Sequence, residues 1–143
     1  MVVDSIPCVP VVKGDAGGNV LFSSSPISFI GGVDPAAGII QDPLSDRHGE
    51  SIADKIFIFP FGKGSSGAGL VLLELARVGK APRALVMLRV DTVLLTGPLV
   101  SREFYKKEIP VVTVDEAGME ALRRAVNIRI DCGSGTIDID GPY

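Results

Sequence analysis

The segment FPFGKGSSGAG, Phe59 to Gly69, sets one cation, Lys63, beside the hydroxyls of Ser65 and Ser66 within a run of glycines. A turn of this kind ahead of a helix exposes backbone N–H groups. Those unpaired donors and the aligned peptide dipoles attract an anion, and Lys63 adds a full positive charge next to them. A carboxylate or phosphate fits such a cradle, with Lys63, Gly64, Ser66 and Gly67 as its binding residues. A serine held among the same donors can act as a base, because its alkoxide is stabilised there, whereas a free serine is far too weak an acid. Ser65 is the residue placed for that role. A plainer reading is also open, in which Ser65 or Ser66 is only an N-cap and the glycines only make the turn. Two other chemistries do not fit the spacing. A nucleotide loop, GxxxxGK followed by Ser or Thr, would need glycine at Phe57, and Gly64 follows Lys63. Ser-His-Asp catalysis lacks GxSxG spacing, and His48 is the single histidine, which also disfavours a phosphohistidine carrier.

These residues need a frame, and the flanking sequence supplies one. Lys55 to Phe59 is a short β-rich run ended by Pro60 and Gly62. From Gly67 to Val78, GAGLVLLELARV is rich in helix formers, with Glu74 and Arg77 on one narrow stripe at i, i+3 spacing, so nearly all the rest of this helix is expected to be buried. Gly79 is its natural C-cap, and Pro82 follows where the chain leaves the helix. Ala84 to Val90 reads as a buried strand, which completes a βαβ unit with a parallel pair of strands. Upstream, Val9 to Val12, Asn19 to Phe22 and Ile27 to Ile30 carry strand and turn chemistry ahead of the loop Gly31 to Pro35. Downstream, Val93 to Val100 is apolar but interrupted by Gly97 and Pro98. Ile109 to Val114 is a further strand with its proline at the edge, and Glu116 to Ala125 is a short helix. The tail RIDCGSGTIDID alternates around Gly133, Ser134 and Gly135 as a closing β-hairpin. No repeat or linker divides residues 1–143, so a single α/β domain is expected.

At 143 residues the chain can bury one proper core. It is 46% hydrophobic against 22% charged, with a mean hydropathy of +0.37, which is apolar for so small a domain. Either the core is unusually aliphatic or another chain covers some apolar surface. The uncharged stretch Ala16 to Val33 is broken by glycines, serines and Pro26, so no membrane segment is expected. The start MVVDSIPCVP carries Asp4 and no basic region leading into an apolar run, which is not a secretory signal and points to the cytoplasm. A net charge of -3 and a pI near 5.1 offer no general electrostatic reason to bind nucleic acid. Cys8 and Cys132 are the only cysteines and form no CxxC, so buried free thiols are favoured over a disulfide, and an iron-sulfur cluster would have to be held elsewhere.

SFIGGVDPAAGIIQD from Ser28 to Asp42, DRHGESIADKIFIFPFGKGSSGAG from Asp46 to Gly69, and the following LLELARVGKAPRALV together resemble the aconitase X swivel-domain family. The resemblance covers more than half the chain, and its GGVDP, HGES and GKGS segments are specific only jointly. It implies a swivelling β/β/α domain like the small, swivel domain of aconitase. It also implies a large catalytic subunit as partner, which carries an iron-sulfur cluster of the 4Fe–4S type and most of the substrate site. The implied activity is dehydration of a small phosphorylated hydroxy acid, (R)-5-phosphomevalonate, to trans-anhydromevalonate 5-phosphate in an archaeal mevalonate pathway. The cluster acts there as Lewis acid on the leaving hydroxyl, and the first serine after GKG, here Ser65, is the proton acceptor. Gly31, Gly32 and Asp34 are expected to shape the facing loop. For Asp34 an Asx turn before Pro35 outweighs catalysis, and His48 and Glu50 read as structural or interface residues. The chain departs from the family pattern after Thr96 and Gly97, where PLVSREFYKKE, Pro98 to Glu108, is inserted before Ile109 and Pro110 and is expected to reshape the rim or the subunit contact.

Two competing readings follow. One is a sister hydro-lyase acting on another hydroxy acid such as cis-3-hydroxyproline, and the other is a non-catalytic anion-binding module. Purified alone, the chain is expected to be folded, colourless and inactive, because two separated cysteines cannot supply the thiolates a cubane cluster needs. Iron analysis checks this, and stoichiometric iron and sulfide in the chain by itself would sink the division of labour.

Overall fold

The computed structural model describes residues 2–63, 68–90 and 92–140. Its strands are β1 (Val2–Pro7), β2 (Val9–Val12), β3 (Ala16–Phe22), β4 (Ile56–Ile58), β5 (Ala84–Met87), β6 (Val111–Thr113), β7 (Asn127–Asp131) and β8 (Thr136–Asp140). They form one sheet in the order β1-β8-β7-β3-β4-β5-β6-β2. β1 and β2 stand at opposite ends of that order, yet Cys8 alone separates them in sequence. One residue spans only about 3.5 Å, so the sheet must roll until its two edges meet. The Cys8 N–H marks the corner by donating to the Gly135 carbonyl at 2.9 Å, in the turn between β7 and β8.

β3 joins the two halves of the sheet. Its first residues pair antiparallel with β7, and its last, Val20 to Phe22, pair parallel with β4. β4, β5 and β6 continue parallel, as the βαβ reading requires, and the tail closes as the β7–β8 hairpin. The central strands are buried on both faces. Ile56, Ile58, Ala84 and Val86 point to one core with Ile128, Ile130, Ile137 and Ile139, while Phe57, Phe59, Leu85 and Met87 point to the other. Period-2 alternation places apolar side chains in both cores at once, which is why these segments read as continuous apolar runs. In the second core Phe29, Phe57 and Phe59 meet with ring centroids 4.7 to 6.4 Å apart.

Helix α2 (Ala68–Val78) covers that second core with Leu72, Leu75 and Ala76. Its end is a Schellman turn. Gly79, at φ +78°, donates to Ala76 O, and Lys80 N–H donates to Leu75 O at 2.8 Å. Glu74 and Arg77 pair at 2.7 Å on the exposed face, as their spacing implies. The expectation of near-complete burial is corrected, because the helix presents only one face to the core and leaves Leu70 69% exposed.

Three further departures have identifiable causes. Ile27 to Ile30 is not a strand. Ile27 makes one parallel bridge to Gly62, and the chain then turns through α1 (Phe29–Gly32), where Gly31 at φ +77° breaks any ladder. The N-terminal stretch is strand β1, whose partner β8 lies at the other end of the described chain. β5 stops at Met87 because Leu88 and Arg89 turn to donate their N–H groups to Pro60 O.

The segment expected as an interrupted apolar run is helical. α3 (Thr96–Val100) passes into a π-helical turn, Ser101–Tyr105, and ends at Lys106 with φ +55°. The insertion therefore folds back on α2, where Lys107 Nζ donates to Ala76 O at 2.7 Å, near the helix's negative end. α3 crosses the first turn of α2 backbone to backbone. A Cβ on Gly69 would run into the Thr96 hydroxyl, and one on Gly97 would stand 2.5 Å from Gly69 O and 2.9 Å from Leu72 Cβ. α4 (Glu116–Leu122) is capped by Asp115, whose carboxylate accepts from Gly118 N–H at 2.7 Å. Among the described residues no helix is long and apolar enough to cross a membrane. Gly97→Ala should force the two helices apart and cost about 1–3 kcal/mol of stability, read as a lower urea midpoint; an unchanged midpoint would show that the crossing tolerates separation.

Candidate functional site

The loop singled out in the sequence leaves the C-terminal end of β4, the side of a parallel sheet where open α/β folds bind ligands. Its first residues are tied down. Pro60 O accepts from Leu88 N–H at 3.0 Å, Ile27 N–H donates to Phe61 O at 3.2 Å, and Lys63 N–H donates to Ile27 O at 2.9 Å. The Phe61 ring carries the Arg89 guanidinium 4.2 Å from its centroid. Lys63 itself is exposed. Gly64, Ser65, Ser66 and Gly67 lie outside the described residues. The chain is described again from Ala68, where the Gly69–Gly97 crossing holds the first turn of α2. Both ends of the loop are thus anchored, one by a backbone clamp and the other by a close helix contact.

Gly31 and Gly32 follow the clamp residue Ile27 by four and five positions, and no contact given for them reaches the described residues of the loop. Gly31 is exposed, with open space where a Cβ would stand, and Gly32 is buried with its carbonyl accepting from Gln41 N–H at 2.8 Å. Asp34 closes an Asx turn, its carboxylate accepting from Ala36 N–H at 2.9 Å. Asp34 O accepts from Gly38 N–H, and Gly38 packs on Lys80 and Leu75, at the end of α2 remote from the loop. The described residues therefore do not bring Asp34 to Lys63.

Beside the HGES segment, Asp46 and Arg47 make contacts that sequence reading did not single out, and Glu50 within it is structural as expected. Arg47 Nε donates to Phe22 O at 2.6 Å, and its Nη1 pairs with Glu50 at 3.2 Å. Asp46 accepts from the Ser23 hydroxyl at 2.7 Å and from the Ser24 N–H and hydroxyl at 3.0 and 2.8 Å. Partial burial works to raise the Asp46 carboxyl, but these serine donors outweigh it and hold it below the ordinary carboxylate value. His48 is exposed, its N–H donating to Ser45 O. No spacing rule could have found Asp46, because its partners lie more than 20 residues upstream.

Cys8 and Cys132 are free thiols, Cys8 buried and Cys132 half-buried. Burial, then the nearby Cys132 and Asp131, pushes the Cys8 thiol up to about 11, so it is protonated at neutral pH. Among the described residues no three His, Cys, Asp or Glu side chains gather as a metal-binding group. The described residues therefore offer no ligand set that fits an iron-sulfur cluster.

Residues 5–139 match the family profile described as the aconitase X swivel domain. The chain belongs to the aconitase X swivel-domain family. Among its relatives in that family, the phosphomevalonate dehydratase small subunit of Thermococcus kodakarensis is 40% identical over 129 residues, which cover 90% of this chain and 91% of the relative. The phosphomevalonate dehydratase small subunit of Pyrococcus abyssi is 39% identical over 133 residues, covering 92% and 95%. The crystal structure of Thermococcus kodakaraensis aconitase X in its holo-form superposes with a TM-score of 0.83 at 36% identity, over 96% of this chain and 99% of that one. The aconitase X swivel fold thus extends over nearly the whole chain.

Asp46 links the end of β3 to the 42–50 loop in this swivel domain, and its depressed carboxyl sets the sign of a pH effect. The stabilisation it contributes is present above the unfolded value near 4 and is lost as pH falls through the lower folded value. Asp46→Asn should therefore lower stability at pH 7 by on the order of 1 kcal/mol, solvent screening included, with the deficit shrinking in strong acid; urea titrations at both pH values measure it.

Proposed function

We propose that this chain is the small subunit of a phosphomevalonate dehydratase. The reading is carried by one observation: relatives bearing that name match it nearly end to end at 31% to 40% identity. In this reading a larger subunit completes the site and holds the iron-sulfur cluster, for which the described residues of this chain offer no fitting ligand set, and the complex works in the cytoplasm.

The chain's own part is proton removal. Ser65 takes the proton from the carbon next to the substrate carboxylate, and the electrons of that C–H bond become the new double bond as hydroxide leaves the neighbouring carbon. Deprotonated Ser65 needs stabilisation, which Lys63 and the backbone N–H groups of Gly64, Ser66 and Gly67 supply at the start of α2. The contacts at Ile27 and at Gly69 support this assignment, because they fix where the chain enters and leaves the loop. Gly31, exposed and with open space where a Cβ would stand, leaves room for a ligand on that turn.

In the complex assembled with its larger subunit, (R)-5-phosphomevalonate should be dehydrated, and Ser65→Ala should lower kcat by roughly 10²- to 10⁴-fold with assembly intact. Ser66→Ala is the control, expected to weaken stability or KM more than kcat. Near-normal turnover by Ser65→Ala in the fully assembled, cluster-loaded complex would place the base elsewhere.

A further inference from the structure

A cavity of about 450 Å3 opens at the C-terminal ends of β5 and β6, lined by Phe61, Leu88, Arg89, Val114, Asp115 and Glu116. It shares Phe61 with the start of the candidate loop, so it is the next space along the same edge of the sheet. Exposed Arg89 forms part of its wall. Its backbone N–H is drawn to Pro60 O at 3.4 Å, and its guanidinium lies on the Phe61 ring. A guanidinium whose carbon sits over a ring still has N–H groups to offer an anion, and its fork can meet two phosphate oxygens together.

The charges around this edge single Arg89 out. Arg47 is paired with Glu50 and bonded to Phe22 O, and Arg123 is paired with Glu120 over the Phe22 ring. Arg89 has no ion pair among the described residues. The opposite wall carries two carboxylates, Asp115, which accepts from Gly118 N–H as the cap of α4, and Glu116, both exposed to solvent. A substrate with a carboxylate at one end and a phosphate at the other needs two cationic stations, and Lys63 sits at the one beside the proton acceptor.

We propose that Arg89 is the second station, a specificity residue that binds the phosphate end of the substrate in the cavity beside Phe61. This rests on the dehydratase reading above. The test uses the assembled complex with (R)-5-phosphomevalonate as substrate and unphosphorylated mevalonate as competing ligand. Arg89→Ala should raise KM for the phosphorylated substrate roughly tenfold or more while kcat stays within about threefold, since a charge-assisted bidentate contact is lost. The inhibition constant of mevalonate should not change, and Arg89→Lys should recover part of the loss. An unchanged KM in Arg89→Ala, or an equal loss for mevalonate, would overturn the assignment while leaving the dehydratase reading standing. A wild-type complex inert toward phosphomevalonate would instead remove that reading and this assignment with it.

Discussion

Two short strands at the centre of the sheet, β4 and β5, have no solvent-facing side: every side chain from Ile56 to Phe59 and from Ala84 to Met87 is fully buried. A strand buried on both faces needs an apolar layer above and below it. One layer is α2 with the Phe29 turn. The other is the rolled antiparallel half, β1, β8, β7 and the start of β3, closed at Cys8. Both the rolling of the sheet and the placement of α2 follow from this demand. Leaving either face open would expose several large aliphatic side chains, at about 25 cal/mol per Å2 of apolar surface.

The same demand delivers the candidate loop to its position. α2 must lie on the Phe57, Phe59, Leu85 and Met87 face, and β4 must end beneath it, so the connection between them runs over the C-terminal edge of the sheet. Close contacts then hold the described residues on either side of it. The Ile27 backbone clamp holds one side, and the Gly69–Gly97 crossing holds the other. The inserted segment strengthens the second anchor through Lys107, which binds a carbonyl at the far end of α2. A segment that resembles a rim decoration in sequence therefore acts as a strap on the helix behind the site.

Polar groups serve the same placement. Asp46 gathers Ser23 and Ser24, and Arg47 reaches Phe22 O, so the turn after β3 is held to the 42–50 loop by side chains. These bonds satisfy backbone and hydroxyl groups at the edge of the sheet that would otherwise lie partly buried without partners. Ser23 is fully buried and has its bond. The DRHGES segment is thereby accounted for by structure, with Asp46, Arg47 and Glu50 linked and His48 left to solvent.

The amino-acid sequence alone determined the βαβ frame, the Gly79 cap, the closing hairpin and the place of the glycine-serine loop between β4 and α2. Each of these is local: the side-chain period of Lys55 to Phe59, the helix formers after Gly67 and the turn residues Gly133 to Gly135 act on neighbours within a few positions. Family resemblance extended that reading to chemistry, through GKGS and Ser65. Tertiary structure decided the rest. It paired β1 with β8 across the whole chain, turned Ile27 from a strand residue into a clamp, spread the insertion along α2, and set Arg89 on Phe61 beside the loop. These are contacts between residues far apart in sequence, made only once two apolar faces are covered. No period or motif encodes them, because the partner of each is chosen by which surfaces the closed sheet brings within reach.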